Sequence, residues 1–327
     1  TPALTFSTTI APIVQTNLIP YFVDVEEETL QVDISKLKKM DLNEVSAICI
    51  PNLIGNVANW EEIYNFGKEN NLKIVEDSAD TIGYTYKTRL NNWSDISTTS
   101  FYASHIITCG GIGGMVCTNN KSIYEKMKVI RGWGRSSELY AADSTQTIKN
   151  NINSRFNIKI GKILYDRKFL FSQPGYNFFA PEICAAFGST QLKKFKDLYK
   201  KRVNNFNFLK QLFSKDLSHK LITPNQSKHV DTIWLAYPLI LKKDNNKLRN
   251  KLQIFLEKNN IQTRPIFSGN ITRQPLLKNR KYITNNKKFN SADYIMKNGL
   301  LVGCHPKLKK SDLKFIFNKV KNFLENE

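Results

Sequence analysis

Cysteine and long apolar runs are both scarce in this sequence. The five cysteines are an odd number, lie far apart and include no Cys-x-x-Cys pair. This pattern argues against a disulfide framework and a zinc site, and it favours a reducing compartment, the cytoplasm. No apolar run reaches the ~18 residues of a membrane span, so no membrane partner is predicted.

The start of the chain lacks an initiator methionine, a basic segment and an apolar segment. Residues 1–6 are Thr-Pro-Ala-Leu-Thr-Phe. They are typical of the entry to a strand and not of a signal peptide. We therefore expect that the natural protein begins upstream of Thr1 and that this chain is a fragment.

Acidic residues are also few: 28 Asp and Glu stand against 48 Lys and Arg, giving a net charge of +20. One interpretation of this excess is nucleic-acid binding. The other is a lysine-rich composition spread over solvated faces, and we favour it because residues 191–213 place apolar side chains at helical spacing among lysines. No nucleic-acid partner is predicted.

The order of apolar and polar segments predicts an α/β protein. Strands are predicted at residues 18–25, 45–51, 72–75, 98–102 and 114–118, and helices at 60–70 and 122–130. Residues 145–168 are predicted to be an irregular insert and 181–213 a long helical stretch. A smaller α+β domain is predicted from a strand at 232–241 and helices at 246–259, 290–298 and 311–325.

Three chemically useful side chains lie at or near the ends of predicted strands. Asp77 comes just after the strand at 72–75, Ser100 lies in the strand at 98–102, and His105 lies between that strand and the glycine cluster at residues 110–114. Ligands bind α/β sheets at the carboxyl ends of the strands. A lone acid at such a position is more often a cap or a turn residue, but this set brings an acid, a hydroxyl and an imidazole to neighbouring strand ends.

At these residues the sequence resembles the DegT/StrS family of sugar aminotransferases. The matching stretches are Val75-Glu76-Asp77-Ser78-Ala79-Asp80, Ser100-Phe101-Tyr102-Ala103-Ser104-His105, Arg131-Gly132-Trp133-Gly134-Arg135, Gly175-Tyr176-Asn177 and Gln191-Leu192. The resemblance implies the aspartate-aminotransferase-like fold (fold type I of the pyridoxal-phosphate enzymes). A large domain with a mixed sheet is expected over residues 1–213, without its N-terminal part, and a small α+β domain over 214–327.

The resemblance also implies a pyridoxal 5'-phosphate (PLP) or pyridoxamine 5'-phosphate site. Asp77 matches the acid that bonds the pyridine nitrogen and keeps the ring an electron sink. Asp80 stands near the ring's 3-oxygen, Ser100 matches the phosphate-binding serine, and Phe6 matches the aromatic that stacks on the ring, although core packing is the simpler interpretation of Phe6 alone. Asn177 matches an asparagine that reaches the neighbouring subunit's phosphate, which implies a homodimer.

His105 occupies the position where the family's aminotransferases carry their cofactor-bonding lysine. This exchange is similar to that of the sugar 3-dehydratases, which remove the C3 hydroxyl of GDP-4-keto-6-deoxymannose or CDP-4-keto-6-deoxyglucose on the route to dideoxysugars of lipopolysaccharide O-antigen. His105 would then be the catalytic base, and glutamate would restore the cofactor's amine form. A sugar aminotransferase that uses another lysine and a catalytically silent protein remain the alternatives.

Other positions extend or depart from this resemblance. Arg264 and Arg273 are candidates for contacts with the substrate's phosphates or carboxylate, although a surface arginine is the commoner case. No cysteine lies between Cys117 and Cys184, so no iron–sulfur cluster is expected. The family's Gly-Glu-Gly-Gly is replaced by the glycine cluster, and its N-terminal phosphate-binding segment would precede Thr1.

Overall fold

A computed structural model of the chain describes residues 1–86, 93–139, 152–228, 230–243, 245–284 and 288–327. The α-helices are α1 Ser7–Gln15, α2 Ile34–Leu37, α3 Trp60–Glu69, α4 Lys121–Arg131, α5 Ile152–Phe156, α6 Glu182–Lys193, α7 Phe195–Asp216, α8 Asn246–Lys258, α9 Asn290–Asn298 and α10 Lys310–Glu325. The strands are β1 Tyr21–Phe22, β2 Ala47–Pro51, β3 Lys73–Ser78, β4 Thr85–Tyr86, β5 Ile96–Ser100, β6 Gly114–Cys117, β7 Ile158–Ile160, β8 Ile163–Tyr165, β9 Leu221–Ile222, β10 Val230–Asp231, β11 Ala236–Leu241, β12 Thr263–Pro265, β13 Ile283–Thr284 and β14 Gly299–Gly303.

The chain divides into two compact units. One comprises residues 1–116 and 187–327, and the other comprises residues 117–186. The division predicted between residues 213 and 214 does not coincide with these bounds, and it stays a prediction.

A sheet in the order β2-β3-β5-β6 forms the first part of the larger unit. β2, β3 and β5 are parallel, and Asp77 is paired with Pro51 on one side and Thr98 on the other. Ile48, Ile50 and Ile74 are buried with the apolar side of α3 in one core. Because the three strands run the same way, their carboxyl ends meet at one edge of the sheet, where the predicted site residues lie.

A buried polar cluster fixes that edge. The Asn52 side-chain amide donates to Glu76 (3.0 Å) and to the Ser78 hydroxyl (2.7 Å), while its oxygen accepts from the Ala58 N–H and the Trp60 indole. Asn52 and Glu76 are 1% and 5% exposed. An ionisable group this deep is tolerated because donors surround it, so the ends of β2 and β3 are held together.

The second sheet, β12-β14-β11-β9, is antiparallel throughout. Its core includes Phe206, Leu209 and Phe213 of α7 together with apolar residues of α8, α9 and α10. These elements confirm the strand and helices predicted from residue 232 onward. The separation of this part as a domain of its own stays a prediction.

The helical prediction over 181–213 is confirmed, but in two pieces, α6 and α7, that meet at Lys194. Leu192, predicted for the apolar side, is 59% exposed, whereas the basic Arg202 is 3% exposed. Arg202 donates to the Leu235 carbonyl at 2.5 Å. Its buried charge is the exception to the prediction that the basic side of this helix is solvated.

The smaller unit contains α4, α5 and a hairpin of β7 and β8. The irregular insert predicted at 145–168 is therefore wrong over residues 152–168, because Gly161 adopts a positive φ of 62° and closes a tight turn between β7 and β8; residues 145–151 lie outside the described part. Arg135 lies over the Trp133 ring, 4.5 Å from its centroid.

None of the helices within the described ranges combines the length and the hydrophobicity that crossing a membrane requires.

Asn52→Ala tests the polar cluster. The truncation removes the four side-chain hydrogen bonds of Asn52, and each buried hydrogen bond contributes about 0.5–1.5 kcal/mol. We expect the free energy of unfolding, measured with urea, to fall by about 3 kcal/mol. Asn43→Ala, at an exposed asparagine, is the control and should change it by less than about 0.5 kcal/mol. Equal effects would contradict the role given to Asn52.

Candidate active site

The first helix is tied to the end of β3 through Asp77. The Thr9 hydroxyl donates to Asp77 Oδ2 at 2.7 Å, and the Ala79 N–H donates to Oδ1 at 3.1 Å. Thr9 is 4% exposed and lies one turn after Phe6. Thr9 was not recognised in the sequence, although its place three residues after Phe6 at a helix start is the signal that points to it. The hydrogen bonds orient the carboxylate and keep it a strong acceptor.

Phe6 caps the start of α1 with an exposed ring. The ring is 48% exposed and meets Phe267 edge to face, with 5.7 Å between centroids. The Ser268 N–H and hydroxyl both donate to the Thr5 carbonyl, which anchors the two segments to each other. The core-packing interpretation of Phe6 is therefore wrong, since half of its surface is free to contact a ligand.

Asp80 lies deep beside an unusual turn at Leu53–Gly55. Its Oδ2 accepts from the Ile54 N–H at 3.1 Å, and Asp80 is 9% exposed. Ile54 has φ of 60°, a conformation that costs a β-branched residue about 1–3 kcal/mol. Nothing in the residue types predicts this turn, so Ile54 could not be found from the sequence.

His105 faces Asp80. Its Nε2 lies 3.6 Å from Asp80 Oδ1, and its backbone N–H donates to the Tyr102 carbonyl at 3.1 Å. The Tyr102 ring meets the imidazole edge to face at 5.9 Å. Among the described residues, no group meets hydrogen-bond geometry with the buried Nδ1. The imidazole therefore presents one nitrogen to an acid and keeps the other without a strong partner.

Burial dominates the proton affinities of this pair. It raises the pKa of Asp80 to about 7; the Ile54 N–H opposes that rise and the Asp77 charge adds to it. Burial lowers the pKa of His105, while the nearby Ser100 backbone and the Asp77 charge oppose that fall. Both shifts favour the uncharged form.

Ser100 and the glycine cluster lie at the end of β5, at the same edge of the sheet as Asp77. The Ser100 hydroxyl accepts from the Tyr102 N–H at 3.2 Å. Gly114 has no room for a side chain, since an added Cβ would lie 2.7 Å from the Thr99 carbonyl oxygen. The cluster thus lets the backbone pass close to the end of β5.

Arg264, Arg273 and Asn177 are the remaining residues predicted for the site. Arg264 is exposed on β12. Arg273 is bound by Asp293 at 2.7 and 3.0 Å, so two of its donors are engaged. Asn177 lies in the smaller unit and accepts from the Phe179 N–H at 3.4 Å. The described residues hold no group of three or more His, Cys, Asp or Glu side chains arranged to bind a metal ion; the absence of an iron–sulfur cluster stays a prediction.

A carboxylate at a parallel strand end, an exposed aromatic residue at a helix start and a partly buried imidazole make this part of the α/β fold the candidate ligand site. The model of the DegT/DnrJ/EryC1/StrS aminotransferase family matches residues 1–321. The chain belongs to this family, which is PLP-dependent.

Relatives in this family modify sugars. Lipopolysaccharide biosynthesis protein RfbH of Salmonella typhimurium is 33% identical over 326 residues, which are 99% of this chain and 73% of that protein. Both 3-dehydratases and GDP-perosamine synthases are among the similar proteins.

Solved structures share the fold. GDP-4-keto-6-deoxy-D-mannose-3-dehydratase of E. coli, with bound hydrated PLP, superposes with a TM-score of 0.81 at 28% identity, over 98% of this chain and 78% of that one. Another structure of GDP-4-keto-6-deoxymannose-3-dehydratase, with a trapped PLP–glutamate geminal diamine, has a TM-score of 0.81 at 27% identity and covers 98% and 79% of the two chains. The predicted α/β, aminotransferase-like fold is confirmed.

Asp80→Asn tests the burial of the acid. The folded-state pKa of about 7 lies above the ordinary value of 3.8, so between these values the folded protein holds a proton that the unfolded chain has lost. The wild-type free energy of unfolding then falls as the pH rises through this window. His105 acts in the opposite direction below about pH 6.5, but it is present in both proteins.

We expect urea unfolding at about pH 4, 6 and 8 to show that the free energy of unfolding of the variant rises by a few kcal/mol relative to that of the wild type as the pH increases. Asparagine keeps an acceptor for the Ile54 N–H, so the variant should fold. A stability difference that stays constant from pH 4 to 8 would contradict the raised pKa.

Proposed function

We propose that this protein is a PLP-dependent 3-dehydratase that removes the C3 hydroxyl of a nucleotide-linked 4-keto-6-deoxyhexose. The observation that carries the proposal is the partly buried imidazole of His105 beside Asp80 (Nε2 to Oδ1 3.6 Å), near the end of β3 where Asp77 lies. Histidine moves protons near neutral pH but forms no lasting covalent link to a cofactor aldehyde. An aminotransferase needs that link, whereas a dehydratase does not.

The side chains at this edge fit the cofactor. Asp77, oriented by Thr9, would hold the pyridine nitrogen; Phe6, whose ring is 48% exposed, would cover one face of the ring. Ser100 would bind the phosphate, with Asp80 near the 3-oxygen. When bound, the cofactor in its amine form supplies an electron sink that weakens the bond to the C3 hydroxyl.

His105 would carry the proton transfers. The lowered pKa of the imidazole leaves it unprotonated at neutral pH, ready to act as general base. The same nitrogen would then protonate the departing C3 oxygen, which leaves as water.

Substrate and partners follow from the same proposal. A nucleotide-sugar is the substrate and glutamate the amino donor that restores the cofactor. Arg264, exposed on β12, is the better placed of the two arginines for the substrate's phosphates, since Asp293 already binds Arg273. A homodimer in which Asn177 contacts the other subunit's phosphate, and the absence of an iron–sulfur cluster, belong to the proposal as well.

His105→Asn separates cofactor binding from chemistry. Because Asp77, Ser100 and Phe6 are unchanged, we expect PLP affinity, followed by absorbance, to be kept. C3 deoxygenation, measured by mass spectrometry of the product, should fall by roughly two to four orders of magnitude, the usual contribution of a general acid–base. The control His219→Asn changes an exposed histidine and should leave both unchanged.

The wild type should also resist covalent trapping of PLP by borohydride. Undiminished dehydration by His105→Asn, or trapping at a lysine followed by formation of a 4-amino sugar, would instead support the sugar aminotransferase.

Thr9→Val tests the orientation of Asp77. The change removes the 2.7 Å hydrogen bond to Oδ2 with little change in volume. A hydrogen bond to a charged group contributes about 1.5–3 kcal/mol, so PLP affinity should fall roughly 10-fold or more. Thr16→Val, at an exposed threonine near the end of the same helix, is the control. Equal PLP affinity for Thr9→Val and Thr16→Val would remove Asp77 from the cofactor site.

A further inference from the structure

We propose that Asp80 is the positioning residue of His105, and that the two side chains share one proton which Asp80 holds in the resting site. Only the catalytic consequence of the proton sharing rests on the proposed function, in which His105 moves the protons of the reaction. The sharing itself follows from three features of this structure: the orientation of the carboxyl, the turn that fixes it, and the burial of Asp80 beside the partly buried His105.

A single backbone hydrogen bond sets the orientation of the Asp80 carboxyl group. Oδ2 is bound by the Ile54 N–H, which leaves Oδ1 as the oxygen directed at His105 Nε2. At 3.6 Å the two atoms are just beyond hydrogen-bond distance. A small side-chain rotation closes the contact, and such contacts commonly tighten when a ligand binds.

The turn that supplies the Ile54 N–H is held in a costly conformation. The Ile54 carbonyl accepts from the Leu235 N–H at 2.8 Å, the Gly55 carbonyl accepts from the Thr232 hydroxyl at 2.7 Å, and the Gln31 amide bonds Leu53. The Ile54 side chain is fully buried. A left-handed isoleucine persists only where its surroundings over-determine it, so the N–H points rigidly at Asp80.

Burial then brings the proton affinities of the two groups together. It raises the pKa of Asp80 and lowers that of His105, with Asp77 the nearby charge that acts on both. Between the lowered pKa of His105 and about pH 7, the contact is therefore a carboxylic acid against a neutral imidazole more than an ion pair. Two groups this close titrate as a unit.

This arrangement matters for a base that must also act as an acid. A neutral imidazole has a single lone pair, and with Asp80 facing Nε2 the buried Nδ1 carries the N–H. His105 therefore accepts a proton from the reacting groups at Nε2 once the Asp80 hydroxyl has rotated away from that nitrogen. Asp80 keeps its own proton, so the positive imidazole has no carboxylate beside it to retain the proton that it has accepted. His105 then delivers the proton to the C3 oxygen, which leaves as water. The pair returns to one proton, with none gained from or lost to solvent.

The test follows the imidazole of His105 by NMR in histidine-labelled full chain without cofactor, between about pH 5 and 9. His105→Asn identifies the signal. In the wild type we expect two inflections, one of them near pH 7 from Asp80. In Asp80→Asn the inflection near pH 7 disappears and the apparent pKa of His105 falls by about half a unit, a ~3-fold change in its protonation constant.

Asp95→Asn is the matched control, because Asp95 also accepts a backbone N–H, that of Ile74 at 2.8 Å, but at the other end of β3. It should leave both inflections in place. Identical His105 titrations in the wild type and Asp80→Asn would overturn the proposal, even if the variant is less stable, since a purely structural role moves stability alone.

A second measurement keeps the proposal testable if Asp80→Asn does not fold. Infrared difference spectra of the wild type between about pH 5.5 and 8.5 should lose one carboxylic-acid carbonyl band, and a wild type without such a band at the lower pH would refute it. Neither measurement involves substrate or cofactor. A failed dehydratase assay therefore counts against the proposed function, and a failed titration counts against the proton sharing.

Discussion

The side-chain amide of Asn52 holds the ends of β2 and β3 together. The positions of Asp77 and Asp80 in the candidate site depend on this connection. Asn52 bonds Glu76 and Ser78 on one strand while its own backbone N–H donates to the Asp77 carbonyl at 2.8 Å. Glu76 also accepts from the Tyr84 hydroxyl at 2.8 Å. The residues that follow, Asp77 and Asp80, therefore leave the sheet in fixed directions, one toward α1 and the other toward the Leu53–Gly55 turn.

Two carboxyl groups three residues apart are thereby given different chemistry. Asp77 is partly exposed and accepts from the Thr9 hydroxyl and the Ala79 backbone N–H. Asp80 is buried with a single backbone donor, and its pKa is raised to about 7. Different environments of neighbouring acids commonly divide their roles in enzymes. In the proposed function, Asp77 holds the cofactor and Asp80 is the proton partner of His105.

The sequence predicts the parts of this site that depend on strand order and residue type. Parallel strands must end at one edge, so Asp77 and Ser100 could be brought together from the pattern alone. The left-handed Ile54 could not, because its conformation is imposed by Gln31, Thr232 and Leu235 from distant segments. Arg202 is another case: helical spacing shows which face is apolar, but not that a guanidinium within it will find a carbonyl such as Leu235.

The hairpin of β7 and β8 was missed for a related reason. Its outward side chains, among them Ile163 and Leu164 at 67% and 59% exposed, lack the alternation of a half-buried strand, and period-two patterning is the signal on which strand prediction depends. Gly161 is the one local feature of this segment that indicates a tight turn and so a hairpin.

The family resemblance implies a lysine in aminotransferases at the position of His105, and the side chain at this position affects more than covalent binding of a cofactor. An ammonium group 3–4 Å from Asp80 would favour the ionised carboxylate, because an opposite charge at that distance lowers an acid's pKa by about 1–3 units. The buried pair would then be an ion pair that holds its proton on the lysine. Beside a neutral imidazole, burial keeps Asp80 protonated up to about pH 7. In this fold the residue at 105 therefore decides the charge of Asp80 as well as its own, so the two positions act as one unit.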